Sequence, residues 1–476
     1  MDPSTSNNVL EYREKTAREK KLGDAEESPE VGIDLEDAAR KQSAGLLNQY
    51  SSMVCESKNV IFHGAPGTGK SYLAKQIAAD IVSGGTCDKY EDLTDEQKER
   101  IQFVQFHPSY DYTDFVEGLR PIVNDDGSMG FELRDGVFKS FVDRARKNWE
   151  DSHKETSELA REQSARETME SFFSDLELGV ETFPRKNSSK FIITDVSSDY
   201  LHVSMPENGT YNSARLKISV IQRMLESDRD FKKVKEVGFI LGANNSDFSK
   251  NSLYWGVWHA IREHEEKQTA LAVKHKTARR PERENYVFII DEINRGEISK
   301  IFGELFFSID PGYRGESGAV STQYFNLHDD PSERFYIPEN VYIIGTMNDI
   351  DRSVDSFDFA MRRRFRFIEL KANECLGALE GLSEKKKQDA IERMETLNEE
   401  IGKIGELGQS YQIGAAYFKK LKELKPEELW NDHLEPLLRD YVQGMPDASD
   451  AMGRFKTAFF PEQEKPPVEG GDALED

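Results

Sequence analysis

A glycine-rich segment carries the residue types that bind phosphate groups. It has the form G-x-x-x-x-G-K-S and consists of Gly64, Ala65, Pro66, Gly67, Thr68, Gly69, Lys70 and Ser71, hereafter the phosphate loop. An apolar run precedes the loop and apolar residues at helical spacing follow it, so we predict a strand, a turn and a helix. In this setting backbone N–H groups and the helix N-terminus face one anion. Lys70 then reaches the β- and γ-phosphates and the Ser71 hydroxyl binds Mg²⁺, which predicts binding of a nucleoside triphosphate.

A pair of acids follows a second apolar run, near the middle of the chain. Residues 286–290 are apolar and lead directly into Asp291 and Glu292. We predict a buried strand that presents Asp291 to the Mg²⁺ and Glu292 to the water that attacks the γ-phosphate. An apolar run ending in two acids is common by itself, but together with the phosphate loop it predicts a hydrolytic site.

Two further polar groups follow predicted strands. Asn348 comes at the tip of the strand predicted over residues 341–346, where it could orient the attacking water; a plain turn residue is the alternative. Arg362, Arg363 and Arg364 lie between a short helix and the last strand. One of them could reach the γ-phosphate of a neighbouring subunit as an arginine finger, whereas a solvated basic turn explains at least one of the three.

Composition limits the classes of function. The chain has 476 residues, which predicts two or three domains, and a net charge of −25, which argues against general coating of nucleic acid. Any DNA contact must therefore be a local patch. The three cysteines share no metal or disulfide spacing and fit a reducing cytosol. No apolar run is long enough to span a bilayer, so we expect a cytoplasmic protein.

The middle of the chain, residues 150–283, has the pattern of a small α+β domain. We predict a charged helix over 155–176, strands over 190–196 and 200–204, and a helix over 218–227. We expect the residues before the core to be too few for a separate recognition domain, which makes this segment a candidate for target recognition. Tyr254, Trp255 and Trp258 could stack on a base, although aromatic residues at such spacing are more often core. The basic run 274–283 could touch phosphates or form a solvated linker.

The order of these motifs resembles the AAA+ NTPase of McrB-type modification-dependent restriction systems. The resemblance rests on the run F-H-P-S-Y-D-Y-T-D-F-V-E-G-L-R-P ending at Pro121, on I-D-E-I-N-R ending at Arg295, and on M-N-D-I-D-R-S ending at Ser353. Hairpins predicted over 122–136 and between residues 311 and 338 match insertions of the helix-2-insert branch. Residues 407–418 and 430–438 resemble the helical lid of that family. The family usually has His-Ser where this chain has Ala415 and Ala416.

The resemblance implies a fold, an assembly and a set of active-site residues. The fold would be α/β, with an AAA+ P-loop core built on a parallel sheet between helices, an inserted α+β domain and a helical lid. The subunits would form a ring, usually a hexamer, and a McrC-like partner carrying the nuclease would stimulate hydrolysis and act on DNA through the complex. Glu292, Asn348, Asp351, Arg362 and Arg363 would be catalytic. The substrate would be GTP or ATP with Mg²⁺, and the sequence leaves the base open.

We divide the chain into six segments on this basis. They are a disordered lead-in (1–30), a first part of the core with the phosphate loop (31–149), the inserted α+β domain (150–283), a second part of the core (284–371), the helical lid (372–460) and a disordered acidic tail (461–476). The residues favour the motor subunit of a DNA restriction or defence complex. A MoxR- or midasin-like ATPase that remodels protein complexes is the alternative, because the chain is acidic and has no evident DNA-reading domain.

Overall fold

The computed structural model describes most of the chain. The described ranges are 46–123, 127–185, 189–197, 200–205, 213–227, 229–241, 248–269, 280–328, 333–351 and 359–460. The predicted lead-in and tail lie outside these ranges, as do the first fifteen residues of the predicted first part of the core and most of the basic run 274–283. No helix within the described ranges is long and apolar enough to cross a membrane.

The described residues form three sheets. Their strands are β1 (Asn59–Gly64), β2 (Ile101–Gln105), β3 (Glu117–Val123), β4 (Met129–Asp135), β5 (Thr182–Pro184), β6 (Lys190–Val196), β7 (Tyr200–Ser204), β8 (Ser213–Lys217), β9 (Tyr286–Asp291), β10 (Val341–Asn348) and β11 (Arg366–Glu369). The central sheet has five strands, all parallel, in the order β11-β1-β10-β9-β2. This arrangement confirms the predicted parallel α/β core.

Helices surround these sheets. They are α1 (Gln49–Ser57), α2 (Lys70–Ser83), α3 (Asp95–Lys98), α4 (Tyr112–Phe115), α5 (Val137–His153), α6 (Thr156–Asp175), α7 (Ile218–Glu226), α8 (Gly238–Leu241), α9 (Phe248–Thr269), α10 (Ile298–Phe302), α11 (Leu305–Ser308), α12 (Phe359–Arg362), α13 (Glu384–Gly402), α14 (Ala415–Phe418), α15 (Pro426–Leu429), α16 (Glu435–Tyr441) and α17 (Ala448–Phe459). A single π-turn over Trp430–Leu434 joins α15 to α16.

Both faces of the central sheet are covered, which explains why β1, β9 and β10 are nearly continuous apolar runs. Side chains alternate between the faces along each strand. Ile61 and Phe288 belong to the cluster that includes residues of α5, whereas Val60 and Ile289 belong to the cluster that includes residues of α1 and α2. The sheet is thus fixed between two apolar layers, and the carboxyl ends of its strands share one edge.

One predicted hairpin is confirmed and the other is not. β3 and β4 pair antiparallel from Glu117↔Asp135 to Val123↔Met129, so the first hairpin begins five residues before the predicted start. Between residues 311 and 338 the prediction of a second hairpin is wrong for the described residues. They form 3-10 turns and one isolated bridge, Val320↔Phe335, because this segment packs on the core by side chains instead of a ladder.

Residues 165–261 enclose an apolar cluster of their own. The antiparallel sheet β5-β6-β7-β8 packs there with α6, α7 and α9, as the sequence predicted for 155–176, 190–196, 200–204 and 218–227. Tyr254 and Trp258 are buried in this cluster, and the Trp255 indole N–H donates to the Phe231 carbonyl over 2.6 Å. Tyr254 and Trp258 are therefore core residues, which was the alternative to stacking on a base.

The helices from α13 to α17 enclose another cluster, centred on Met394, Phe418, Trp430 and Phe459. Asn398 of α13 is fully buried and holds the chain that enters α14. Its Oδ1 accepts from the Ile413 N–H over 2.7 Å, and its Nδ2 donates to the Ile413 carbonyl over 3.0 Å. A helical lid of this kind was predicted, and its buried asparagine fixes the segment that reaches back to the phosphate loop.

Candidate nucleotide-hydrolysis site

The phosphate loop joins β1 to α2 at the carboxyl edge of the central sheet. Gly64, Gly67 and Gly69 have φ angles of 148°, 76° and 85°, a region that disfavours any side chain. At Gly64 a Cβ would also lie 2.4 Å from the Leu370 carbonyl oxygen. The backbone path therefore depends on these glycines, and it turns the loop around the start of α2 as the sequence predicts.

Lys70 is the first residue of α2 and is almost fully buried. Its ammonium donates to the carbonyl oxygens of Gly64 and Ala65 over 3.1 and 2.8 Å, and to the Thr68 hydroxyl over 3.3 Å. Burial lowers the Lys70 pKa to about 8, although the carboxylates of Glu292, Asp349 and Asp291 favour the charged form. The structure thus keeps a cation inside the phosphate loop at neutral pH.

Three oxygen-bearing side chains meet beside Lys70. The Ser71 hydroxyl donates to Asp291 Oδ1 over 2.5 Å, and the Thr346 hydroxyl donates to the same oxygen over 2.6 Å. Mg²⁺ prefers such oxygen ligands and binds through one or two carboxylates together with substrate phosphates. The predicted ligands Ser71 and Asp291 therefore fit Mg²⁺. Thr346 was not anticipated, because a threonine inside a β-strand carries no distinguishing signal.

Glu292 follows β9 in a left-handed conformation, with φ 52° and ψ 44°. Few residues other than glycine adopt this conformation, so the turn after β9 has an unusual backbone at this position. The Asn348 Nδ2 donates to Glu292 Oε1 over 2.6 Å, which joins two predicted site residues. Burial raises the pKa of Glu292, Arg295 counteracts that rise, and Asp291 and Asp351 add to it. A carboxylate in this setting can accept a proton from water.

Arg295 was missed as a site residue by sequence reasoning, although it ends the I-D-E-I-N-R motif. Its Nε lies 3.3 Å from Glu292 Oε2, and its Nη2 donates to Asp351 Oδ2 over 3.2 Å. Asp351 therefore lies near Glu292, and its hydrogen bond there is accepted from Arg295. Another unanticipated pair is His63 and Asp349, whose Nδ1 and carboxylate oxygens lie 3.1 Å apart.

The three arginines after α12 have different environments. Arg364 is buried, donates to the Ala360 carbonyl over 2.7 Å and packs over the Phe306 ring. Arg362 and Arg363 are exposed, and neither hydrogen-bonds to the phosphate loop within the part of the chain that the structure describes. The structural arginine of the three is thus Arg364. Arg352 and Ser353 of the M-N-x-x-D-R-S motif lie outside the described residues.

The lid contacts the phosphate loop through backbone groups. The N–H of Gly414 donates to the Pro66 carbonyl and that of Ala416 to the Gly67 carbonyl, each over 2.9 Å. A Cβ on Gly414 would lie 2.2 Å from the carbonyl carbon of Gly67, and one on Gly67 would lie 2.6 Å from the Tyr417 ring. The unusual Ala415-Ala416 pair is therefore compatible with a lid contact, because the contact uses the main chain.

Comparisons with known proteins agree with this geometry. A family model described as "McrB, alpha-helical lid domain" matches residues 389–450, and one described as "AAA domain (dynein-related subfamily)" matches residues 239–365. The chain is 25% identical over 398 residues to the type IV methyl-directed restriction enzyme EcoKMcrB subunit of Escherichia coli (strain K12). It is 34% identical over 95 residues to the type II restriction enzyme BsuMI component YdiS of Bacillus subtilis (strain 168).

These alignments differ in extent. The first covers 81% of this chain and 54% of the E. coli protein, so the chain spans about half the length of that relative. The second covers 18% of this chain and 28% of the B. subtilis protein. The lid match coincides with the helices that close over the phosphate loop, and the AAA match includes β9 and β10 with Asp291, Glu292 and Asn348. The parallel sheet, the phosphate loop and the helical lid, together with these matches, thus support an McrB-type AAA+ NTPase.

Proposed function

We propose that this protein hydrolyses GTP or ATP as the motor subunit of a McrB-like DNA restriction complex. One arrangement carries the proposal: Asp291 is shared by Ser71 and Thr346, and its neighbour Glu292 is held by Asn348. These groups come from α2, β9 and β10, and they meet beside a phosphate loop. Sites that only bind nucleotide have no need of a positioned carboxylate next to the Mg²⁺ ligands.

The phosphate loop and its lysine bind the triphosphate. Lys70 would exchange its contacts to the Gly64 and Ala65 carbonyls for phosphate oxygens. Ser71 and Asp291 would hold Mg²⁺, which supplies neutralisation of the charge on the β- and γ-phosphate oxygens. Gly414 and Ala416 fix the outer side of the loop through their N–H groups. The loop is thus supported from the lid before substrate arrives.

Glu292 acts as the general base. Its carboxylate accepts the proton of the water whose oxygen bonds to the γ-phosphorus, while the bond from that phosphorus to the β-phosphate oxygen breaks. Asn348 keeps one oxygen of the carboxylate in place and orients the water. The left-handed backbone at Glu292 aims the side chain toward the end of β10 and therefore toward the same point.

Arg362 and Arg363 serve the site of a neighbouring subunit. They are exposed, whereas Arg364 is used within its own subunit. Stabilising the charge of the transition state from a neighbour requires a head-to-tail contact, which closes into a ring, and we propose a hexamer.

The restriction role rests on the relatives. Both relatives are named as a subunit or component of a restriction enzyme. By analogy, this chain would act with a separate McrC-like nuclease subunit and reach DNA through that complex. The same relatives favour this function over protein remodelling by a MoxR- or midasin-like ATPase.

Hydrolysis of GTP and ATP, measured side by side with and without the product of the neighbouring gene, tests the proposal. We expect Mg²⁺-dependent turnover that the partner stimulates severalfold. A Glu292→Gln protein is the control for contaminating hydrolases, since it keeps the fold and loses the base. Absence of turnover with both nucleotides in the presence of partner would contradict the motor function. Hydrolysis that no partner changes would contradict the restriction assignment.

A further inference from the structure

A bridge of three charged side chains lies beside the predicted catalytic base. The turn after β9 returns on itself, with the Arg295 N–H donating to the Glu292 carbonyl over 2.9 Å. This turn puts the Arg295 side chain on the same side as the Glu292 carboxylate. The guanidinium then uses two different nitrogens: Nε faces Glu292 Oε2 at 3.3 Å, and Nη2 donates to Asp351 Oδ2 at 3.2 Å. Two segments that follow neighbouring strands are thereby connected.

The two oxygens of Glu292 have different partners. Asn348 donates to Oε1, whereas Oε2 is buried without a hydrogen-bond partner and lies 3.3 Å from Arg295 Nε as an ion pair, so each oxygen faces a different side chain. Its side chain is only 16% exposed, and little solvent is available to replace either partner. A planar guanidinium suits this task because its donors point in fixed directions, whereas an ammonium is a single point charge.

Arg295 also offsets negative charge around Glu292. Asp291, Glu292 and Asp351 lie close together and their negative charges oppose one another. Lys70 also attracts the charge of Glu292, but its ammonium hydrogen-bonds to carbonyl oxygens of the phosphate loop. Among the residues that the structure describes, Arg295 forms ion pairs with both Glu292 and Asp351.

We propose that Arg295 is a positioning residue for Glu292 and that Asp351 acts on Glu292 through Arg295, not on the substrate. The inference rests on the proposed hydrolytic function. It reassigns Asp351, which the sequence resemblance places among the catalytic residues, because the observed partner of its carboxylate is Arg295. Asp351 holds the guanidinium, the guanidinium holds Glu292, and Glu292 faces the water.

A double-mutant cycle of Arg295→Gln and Asp351→Asn tests this chain of contacts. Each single change is expected to lower kcat by about 10- to 100-fold, because a displaced base is misaligned with the water. The KM and the affinity for a non-hydrolysable nucleotide analogue should change by no more than about twofold, since neither residue touches the phosphate loop. The double variant should be no slower than the slower single variant, because both changes break one connection. Additive losses would overturn the proposal, and so would a normal kcat in Arg295→Gln.

Four further variants separate this role from a general loss of stability. Arg120→Gln is the matched control: Arg120 has similar exposure and also pairs with an aspartate, Asp114, but it lies on the hairpin, so its kcat should stay normal. Arg295→Lys keeps the positive charge and should recover part of the kcat that Arg295→Gln loses, whereas Arg295→Met should recover none. Equal losses of kcat in the two variants would overturn the positioning role.

The Glu292→Gln protein tests the hydrolytic function on which this proposal rests. Normal turnover in that protein would remove Glu292 as the base, whereas an inactive Glu292→Gln beside a fully active Arg295→Gln would overturn the positioning role alone.

Discussion

The side chain of Asn348 donates to the carboxylate of Glu292 over 2.6 Å, and this contact ties the end of β10 to the end of β9. The two residues are 56 positions apart in the chain. Their meeting follows from sheet order, because β9 and β10 are parallel neighbours whose carboxyl ends share one edge. The proposed base and the proposed orienting group therefore come from adjacent strands of one sheet. Because neither belongs to the phosphate loop, mutations at these two positions should affect turnover more than nucleotide binding.

Replacing Glu292 by glutamine should stop turnover and leave binding intact. The amide keeps the size of the side chain but cannot accept the proton of the attacking water, so kcat should fall by about 10²- to 10⁴-fold. Binding of a fluorescent nucleotide should remain within about twofold of the unmodified protein, since Lys70 and Ser71 are unchanged. Hydrolysis at the normal rate by this variant would remove Glu292 from the role of base.

Nucleotide affinity should depend on the protonation of Lys70. Burial lowers the pKa of this lysine to about 8, and a bound triphosphate favours the charged ammonium. Affinity should therefore be full below pH 8 and fall as the pH rises through this value, by roughly tenfold between about pH 7 and pH 9. Calorimetry of the Glu292→Gln protein at about pH 8.5, in buffers of different ionisation enthalpy, should show proton uptake on binding. Constant affinity without proton uptake would contradict the assignment.

Changing both Arg362 and Arg363 to alanine should disable hydrolysis without weakening nucleotide binding, because we propose that these arginines act in a neighbour's site. Mixing this variant with a Lys70→Ala protein should restore activity. In randomly mixed rings roughly one interface in four pairs an intact loop with intact arginines, so roughly a quarter of normal activity is expected. Arg366→Ala is the control, as Arg366 is an exposed arginine that pairs with Glu56 of its own subunit. A mixture that stays inactive would contradict action in trans.

Placing alanine at Gly414 should separate the lid from the phosphate loop. The added Cβ would lie 2.2 Å from the Gly67 carbonyl carbon, and backbone on both sides prevents an easy adjustment. We expect a loss of about 1–3 kcal/mol in the free energy of unfolding, measured by denaturant titration, together with weaker nucleotide binding. Gly405→Ala is the matched control within the lid, because its Cβ would meet open space. Equal stability of the two variants would show that the backbone contact is unimportant.

Much of the fold was predictable because its signals are local. The phosphate loop, the acid pair after β9 and the hairpin β3–β4 each depend on residues that are consecutive in sequence, so spacing and glycine content are sufficient to identify them. The same holds for α6, β6, β7 and α7, which match predicted elements, whereas the short strands β5 and β8 were not predicted. The predicted role of Asn348 also depended on this local order, since a polar residue at a strand end must face the edge of the sheet.

Only the tertiary structure decided the contacts between segments that are distant in sequence. Arg295 with Asp351, His63 with Asp349, and Thr346 with Asp291 pair residues whose types are common, so no periodicity distinguishes them in advance. The three adjacent arginines have different environments, because packing of the Arg364 guanidinium over Phe306 depends on a helix 58 residues away in sequence. The sequence by itself determined which chemistry is present, since that depends on residue types at short spacing. Tertiary structure decided which side chains position the reacting groups, since that depends on sheet order and on what each side chain packs against.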